Sequence, residues 1–348
     1  MLSKTIVIAS TWISAALAFS GLARAQGDSA RPAGYHVVKT TVLGGPERYN
    51  RLTMDSDARR LYIARETLVQ VMNVDTGAIA GTITGLKAAH GVALVPELSR
   101  AFVTNGGDDS VAMVDVKSLQ KIGTVKTGKN PDAIIYDDVS KRIFVMNADS
   151  RDATAIDTVS GTAIGTVELG GQPQSAVADG KGSVFVNIAD KAEIAEINAR
   201  TLAAVHHWAL TPCEGPSGLA MDQKNRRLFA ACDDKVMVVV DADSGKIVAK
   251  PSIGFGPYMT GFDPDTQLVF SSNGAGTLTV IREDSPGRFS VLGNVKTDWL
   301  ARHMAIDEKT HSVYTVWRCM VARDLSCSRS PPRLSKSSLS ASNPTQHL

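Results

Sequence analysis

Short apolar runs alternate with clusters of Gly, Asp, Asn and Ser along most of the chain. The stretch FVTNGGDDSVAMVD at residues 102–115 is typical, because two apolar runs flank a turn-forming Asn-Gly-Gly-Asp-Asp segment. This pattern predicts a β-hairpin. Two isolated strands are barely stable in water, so the hairpin must pack against other strands of a larger β structure.

The same pattern recurs seven times, and an aromatic residue marks each copy. Successive aromatics are separated by 40, 42, 41, 44, 41 and 44 residues, and they are Tyr62, Phe102, Phe144, Phe185, Phe229, Phe270 and Tyr314. Acidic or amide residues follow most of the aromatics 12 or 13 positions later, as Asp115 does. An earlier aspartate series comprises Asp55, Asp137, Asp179, Asp222, Asp263 and Asp307. Three markers that keep one period indicate a true structural repeat.

Each copy has room for four short antiparallel strands, which is typical of a propeller blade. Residues 35–45 resemble a fourth strand without its first three, whereas the seventh copy has a first and a second strand and then leaves the pattern. The N-terminal strand is therefore expected to complete the last blade, which avoids an open edge. The sequence predicts an all-β fold, a seven-bladed β-propeller of ~40-residue blades over residues 35–316.

The two ends of the chain differ from the repeats. Residues 1–25 have a basic start, an apolar stretch and a small-residue site at Ala23-Arg24-Ala25, which predicts a signal peptide cut before Gln26. The protein is therefore expected to be periplasmic or secreted and not membrane-embedded, with a flexible segment at 26–34. Residues 317–348 are off the pattern and predicted to be disordered, because 328–348 contain seven Ser and three Pro. A weak third strand at 320–325 is the alternative.

The charge distribution argues against strong nucleic-acid binding. Residues 26–316 carry a net charge of −4, whereas residues 317–348 carry +4. The net positive charge is therefore confined to the two ends of the chain, and the predicted propeller lacks the basic surface that nucleic-acid binding needs. We expect a monomer whose partner is an unknown protein or a small polar ligand.

The repeat resembles that of YncE-like proteins, which are YVTN-repeat β-propellers. The resemblance rests on the strands RRLYIA, SRAFVTN and KRIFVMN and on hairpins such as IDTVSGTAIGTV, and it covers about residues 35–316. It implies an exported seven-bladed propeller. Related propellers act as lactone hydrolases or as companions of quinone-dependent dehydrogenases, so the resemblance indicates the fold more specifically than the function.

One polar position per copy defines a candidate site. The start of each channel-lining strand lies five residues before the aspartate, or before Val95 in the second copy. These positions hold Asn50, His90, Asp132, Gln174, Ser217, Tyr258 and Arg302. All seven are polar and all differ, so the ring is a candidate binding site for a small polar or anionic ligand at the channel mouth. The alternative is a wet channel whose polar groups bind only water.

The cysteines predict one disulfide. Cys213 lies in the link between the fourth and fifth copies, and Cys232 lies where the second strand of the fifth copy ends. Both positions fall on the same face of one blade, and an exported protein meets oxidising conditions. Two buried free thiols are the alternative. Cys319 and Cys327 lie in the off-pattern tail and cannot be paired from the sequence.

No enzyme motif stands out. The chain has no G-x-S-x-G, no H-E-x-x-H and no P-loop, so we expect no cofactor. His90, Asp132 and His303 are residue types that bind metals, but their spacing does not predict a dedicated metal site. The leading hypothesis is a binding or interaction protein without catalysis of its own. The alternatives are a lactonase-like hydrolase using those three residues, and an accessory subunit of a periplasmic quinone-dependent dehydrogenase.

Overall fold

The computed structural model describes residues 34–44, 48–317 and 333–339. These residues form seven four-stranded antiparallel sheets. The innermost strands of successive sheets contact one another in a closed ring, so each sheet is one blade of a propeller. The predicted fold class is therefore confirmed. Among the described residues, no helix is both long enough and apolar enough to cross a membrane.

The strands follow the predicted period. The first strand, β1, spans Tyr35–Val42 and belongs to the last blade. Blade 1 contains β2 (Tyr49–Asp55), β3 (Arg60–Arg65), β4 (Leu68–Asn73) and β5 (Ile79–Ile83). Blade 2 contains β6 (Ala89–Val95), β7 (Arg100–Asn105), β8 (Ser110–Asp115) and β9 (Lys121–Lys126). Blade 3 contains β10 (Pro131–Asp137), β11 (Arg142–Asn147), β12 (Asp152–Asp157) and β13 (Thr162–Glu168).

The remaining blades are built in the same way. Blade 4 contains β14 (Pro173–Ala178), β15 (Ser183–Ile188), β16 (Glu193–Asn198) and β17 (Ala203–Ala209). Blade 5 contains β18 (Leu219–Asp222), β19 (Arg227–Cys232), β20 (Val236–Asp241) and β21 (Ile247–Ala249). Blade 6 contains β22 (Pro257–Asp263), β23 (Leu268–Asn273), β24 (Thr277–Ser285) and β25 (Arg288–Lys296). The described helices are single 3₁₀ turns at Pro96–Leu98, Gly106–Asp108 and Ala189–Lys191.

Blade 7 closes the ring and corrects one expectation. It contains β26 (His303–Asp307), β27 (Ser312–Trp317) and β28 (Arg333–Leu339), and β1 pairs with β28 as its outermost strand. The N-terminal strand thus completes the last blade, as predicted. The third strand, however, lies inside the range 317–348 that was expected to be disordered. The alternative strand at 320–325 falls outside the described residues.

The Ser-rich strand β28 is held by its neighbours rather than by its own hydrophobicity. It pairs with β27 on one side and with β1 on the other, so both of its backbone edges are hydrogen-bonded. Leu334 is buried in it, and Ser335 and Ser337 are buried on the same strand. A composition-based prediction missed this strand because sheet pairing, which depends on tertiary contacts, stabilises it.

The aromatic markers form the core between blades. The five phenylalanines of the series are fully buried, and so is Tyr62. Phe144 of blade 3 packs with Val184 and Val186 of blade 4, and Phe185 packs with Leu228 and Ala230 of blade 5. Each marker therefore fills the space between its own blade and the next. This explains why the aromatic recurs once per blade.

The early aspartate series forms turns, as expected. The Asp55 carboxylate accepts a hydrogen bond from the Ala58 amide at 2.8 Å, and Asp137 accepts one from the Ser140 amide at 2.9 Å. The later series is less uniform, because Asn73 rather than Asp75 takes this role in blade 1. In blade 6 the corresponding residue, Glu283, is buried.

Candidate binding pocket at the mouth of the channel

One face of the ring carries both the links between blades and the turns that follow the second strands. Backbone hydrogen bonds join these two segments: the Gly106 amide donates to Ala88 at 2.9 Å, and the Ala148 amide donates to Asn130 at 3.0 Å. The first strands begin on this face, so it carries the predicted polar ring. We call it the mouth face.

Five of the seven predicted residues line a single cavity of about 310 Å³, which we call the mouth pocket. They are Asn50, His90, Asp132, Tyr258 and Arg302. Gln174 and Ser217 do not line this cavity. The Ser217 hydroxyl instead donates a hydrogen bond to the Pro257 carbonyl at 3.1 Å, so it joins blades 5 and 6. The site is therefore off centre, on the side of blades 6, 7, 1, 2 and 3 and away from blades 4 and 5.

Other lining residues were not in the predicted ring. Arg48 and Tyr49 precede or begin β2, Glu66 lies in the turn after β3, and His303 begins β26. His303 directly follows the ring position Arg302, and this adjacency is the feature of the sequence that points to His303. Glu66 lies on a turn between strands, where no repeat marker singles it out.

Arg51 crosses the channel beneath the mouth pocket. Its side chain is 9% exposed, and its Nε donates a hydrogen bond to Asp132 Oδ1 at 3.1 Å. Its Nη1 lies 3.3 Å from Ser175 Oγ and 3.4 Å from Met259 Sδ. One guanidinium of blade 1 thus contacts blades 3, 4 and 6. The channel has a charged floor at this depth, and sequence reasoning did not find it.

His90 is fixed on the wall of the pocket by close neighbours. Its Nδ1 forms a short hydrogen bond with the Asn50 amide and lies 4.0 Å from Asp132 Oδ1. Behind it, a Cβ added at Gly106 would lie 3.0 Å from His90 Nε2. The glycine of the hairpin turn at residues 102–115 therefore leaves the space that the imidazole occupies.

Two rings and a guanidinium form the opposite wall. The Arg302 guanidinium lies 4.4 Å from the centroid of the Tyr258 ring, in a cation–π contact. The His303 ring meets Tyr258 edge to face at a centroid distance of 4.9 Å. His303 is 9% exposed, and its Nδ1 has no hydrogen-bond partner among the described residues. This wall presents a buried polar atom that the described part of the chain leaves unpaired.

The electrostatics favour neutral imidazoles and a charged floor. Burial lowers the pKa of His303 to about 3, with Arg51 and Arg302 adding to the effect. Burial also lowers the pKa of His90. Burial alone would raise the pKa of Asp132, but Arg51 and His90 outweigh it and the pKa is lowered. At neutral pH the pocket therefore holds a carboxylate–guanidinium pair and two uncharged imidazoles, which suits hydrogen bonding to a polar ligand.

The predicted disulfide between Cys213 and Cys232 is present. It joins the link before blade 5 to the end of β19, on the mouth face. Asp234 lies close enough to form a metal-ligand cluster with the two sulfurs, but both sulfurs are used in the disulfide. This cluster is the one group of potential metal ligands among the described residues.

Comparisons with known proteins identify the fold and no family. No family model matches the chain, and no curated protein matches it. Hydrazine synthase of Kuenenia stuttgartiensis is similar with a TM-score of 0.68 and 14% identity, over 80% of this chain and 94% of that one.

Two further solved structures are similar. The RRP9 WD40 repeats match with a TM-score of 0.77 and 9% identity, over 88% of this chain and 99% of theirs. U3-55K matches with a TM-score of 0.73 and 10% identity, over 87% of this chain and 99% of that one. At these identities the likeness shows the fold alone. The chain is a seven-bladed β-propeller of the architecture that these proteins share.

Proposed function

We propose that this protein is an exported binding protein without catalysis of its own, which holds a small polar ligand in the mouth pocket. The observation that carries the proposal is the convergence of five of the seven polar ring residues on one cavity. Next to this cavity, the buried Arg51 spans the channel through its contacts with Asp132, Ser175 and Met259. A cavity of 310 Å³ lies at the lower end of the usual size for small-molecule sites.

The protonation states favour binding over acid–base catalysis. The hydrolase alternative requires two of His90, Asp132 and His303 to reach one point, and His90 and Asp132 satisfy this at 4.0 Å. However, a general base works best when its pKa is near the working pH. His303, with its pKa lowered to about 3, and Asp132, paired with Arg51, are weak bases at neutral pH.

A specific feature favours a docked protein partner as the second candidate function. Phe255 is 61% exposed and Trp299 is 60% exposed, and both lie in blade links on the mouth face. The Ala275 amide donates to Phe255, and the Leu300 amide donates to Gly274, so both links border the same glycine-rich turn. Exposed aromatics at a loop face fit the accessory-subunit alternative, in which the propeller docks an enzyme.

We also propose that the protein is exported and that it is YncE-like. The disulfide suits an oxidising compartment, and the apolar N-terminal segment has the composition of a cleavable signal. The repeat motifs support a YncE-like, YVTN-repeat protein.

Native mass spectrometry of the protein, isolated from the organism that makes it, tests the binding function. We expect one small molecule per chain, and we expect Tyr258→Ala to reduce its occupancy strongly. Tyr136→Ala is the matched control, because Tyr136, on the first strand of blade 3, lines a different cavity. A bare wild-type protein that also fails to bind any member of a library of small polar molecules would contradict the proposal.

A further inference from the structure

A small annex adjoins the mouth pocket between blade 7 and blade 1. It has a volume of about 40 Å³ and shares four residues with the larger cavity, namely Arg48, Tyr49, Arg302 and His303. Its remaining walls are the apolar side chains of Leu300 and Val316 and the indole of Trp317. The annex therefore lies at the point where the propeller ring closes.

The annex is rich in hydrogen-bond donors and positive charge. Among the described residues, two arginines line it and no acidic side chain does, whereas the acids Glu66 and Asp132 line only the larger cavity. The Trp317 indole Nε1 is buried and has no acceptor among the described residues. The Nδ1 of His303 is likewise buried and unpaired there. An indole N–H can only donate, so this group requires an acceptor atom.

We propose that the ligand of the mouth pocket is a small organic carboxylate, with its carboxylate in this annex. The inference rests on the proposed binding function and specifies its ligand class. The Arg48 and Arg302 guanidinium groups supply charge-assisted hydrogen bonds, and Trp317 Nε1 donates another. His303 donates from Nδ1 in the corresponding tautomer. The body of the ligand then occupies the larger cavity against Tyr258 and His90.

The size of the annex favours a carboxylate over phosphate. At about 40 Å³ the annex is small, since a single water already needs about 10–15 Å³. A carboxylate has three non-hydrogen atoms in a plane, whereas phosphate has five in a tetrahedron. A carboxylate between Arg48 of blade 1 and Arg302 of blade 7 would also link the two sides of the ring closure. Binding would therefore raise the melting temperature.

Ligand-observed NMR with matched probes tests the ligand class. The probes are benzoate, benzamide and benzylamine, then glutarate and glutaramide, and inorganic phosphate. We expect the two carboxylates to bind and the amides, the amine and phosphate to bind at least tenfold more weakly. Arg302→Gln should weaken benzoate binding about tenfold or more, and Trp317→Phe about threefold. The melting temperature of each variant shows that it is folded.

Arg151→Gln is the control variant. Arg151 lies on the mouth face, in the turn between β11 and β12, and it lines neither cavity. Benzoate binding that survives Arg302→Gln would overturn the proposal, as would phosphate binding as tightly as benzoate. If benzamide or benzylamine binds as tightly as benzoate and Tyr258→Ala abolishes that binding, the binding function stands and the carboxylate assignment fails. If no probe of any class binds, the carboxylate assignment fails, and native mass spectrometry then decides whether the pocket binds another small molecule.

Discussion

At the scale of single residues, Arg51 decides the character of the channel. Burial alone would lower its pKa, but the Asp132 carboxylate more than offsets this and keeps the guanidinium charged. The pair is desolvated together, so each charge depends on the other. Asp132 also faces His90 and the mouth pocket. Arg51, Asp132 and His90 are thus one electrostatically coupled group.

Replacing Arg51 with methionine should destabilise the protein by about 3 kcal/mol, because the Asp132 carboxylate, whose side chain is 21% exposed, would lose the partner of its charge. Urea unfolding measures this change. The double variant Arg51→Met with Asp132→Asn should recover a large part of it. The control is Arg282→Met, which removes an exposed ion pair with Asp284 and should cost at most about 1 kcal/mol. Equal losses in the two single variants would contradict the role assigned to Arg51.

At the scale of strands, blade 6 departs from the repeat in a way that creates a titrating group. Its hairpin of β24 and β25 is long, and Glu283 lies within the paired segment instead of capping a turn. Burial raises the pKa of Glu283 from 4.5 to about 7, and the neighbouring Asp222 of blade 5 adds to the effect. Arg227 acts in the opposite direction. Two carboxyl groups therefore share the seam between blades 5 and 6.

This group should make stability fall as pH rises. A carboxyl whose pKa is raised by folding stabilises the protein fully below its unfolded pKa, and it loses that contribution between pH 4.5 and about 7. Glu283→Gln should therefore gain stability over the wild type by roughly 2 kcal/mol at pH 8 but not at pH 4. Thermal unfolding across this range is the measurement. The control variant is Glu168→Gln, on the exposed face of β13.

At the scale of the whole molecule, ring closure depends on both ends of the chain. Blade 7 takes β1 from the N-terminal part and β28 from the C-terminal part, and β28 is the strand that joins β1 to β27. Without β28, the edges of β1 and β27 would face solvent unpaired. Unpaired edges are sites of aggregation, so the Ser-rich strand has a structural role that its composition conceals.

A chain that ends at Trp317 should therefore lose the closure. We expect its melting temperature to fall by about 10 °C or more, with soluble aggregates in size-exclusion chromatography. A chain that ends at residue 340 keeps β28 and serves as the control. If the shorter chain were as stable and monodisperse as the longer one, closure through β28 would be wrong.

The sequence by itself determined the number of blades, the closing role of residues 35–45, and the pairing of Cys213 with Cys232. These features follow from a fixed period, because each blade must bury the same aromatic against the next blade and turn at the same places. Five of the seven polar residues at the channel mouth share one pocket for the same reason. A repeated residue pattern can be recognised from the order of the residues alone, without knowing which segments meet in the fold.

Only the tertiary structure decided what lies inside the channel and how the last blade is completed. Pairing between β2 and β3 is irregular between Tyr49 and Leu52, so the simple alternation of side chains breaks there. Asn50 and Arg51 are consecutive, yet one lines the pocket and the other crosses beneath it. The partners of Arg51 come from three other blades, and those of β28 from both ends of the chain. Contacts between such distant segments depend on how the ring closes, which no local pattern encodes.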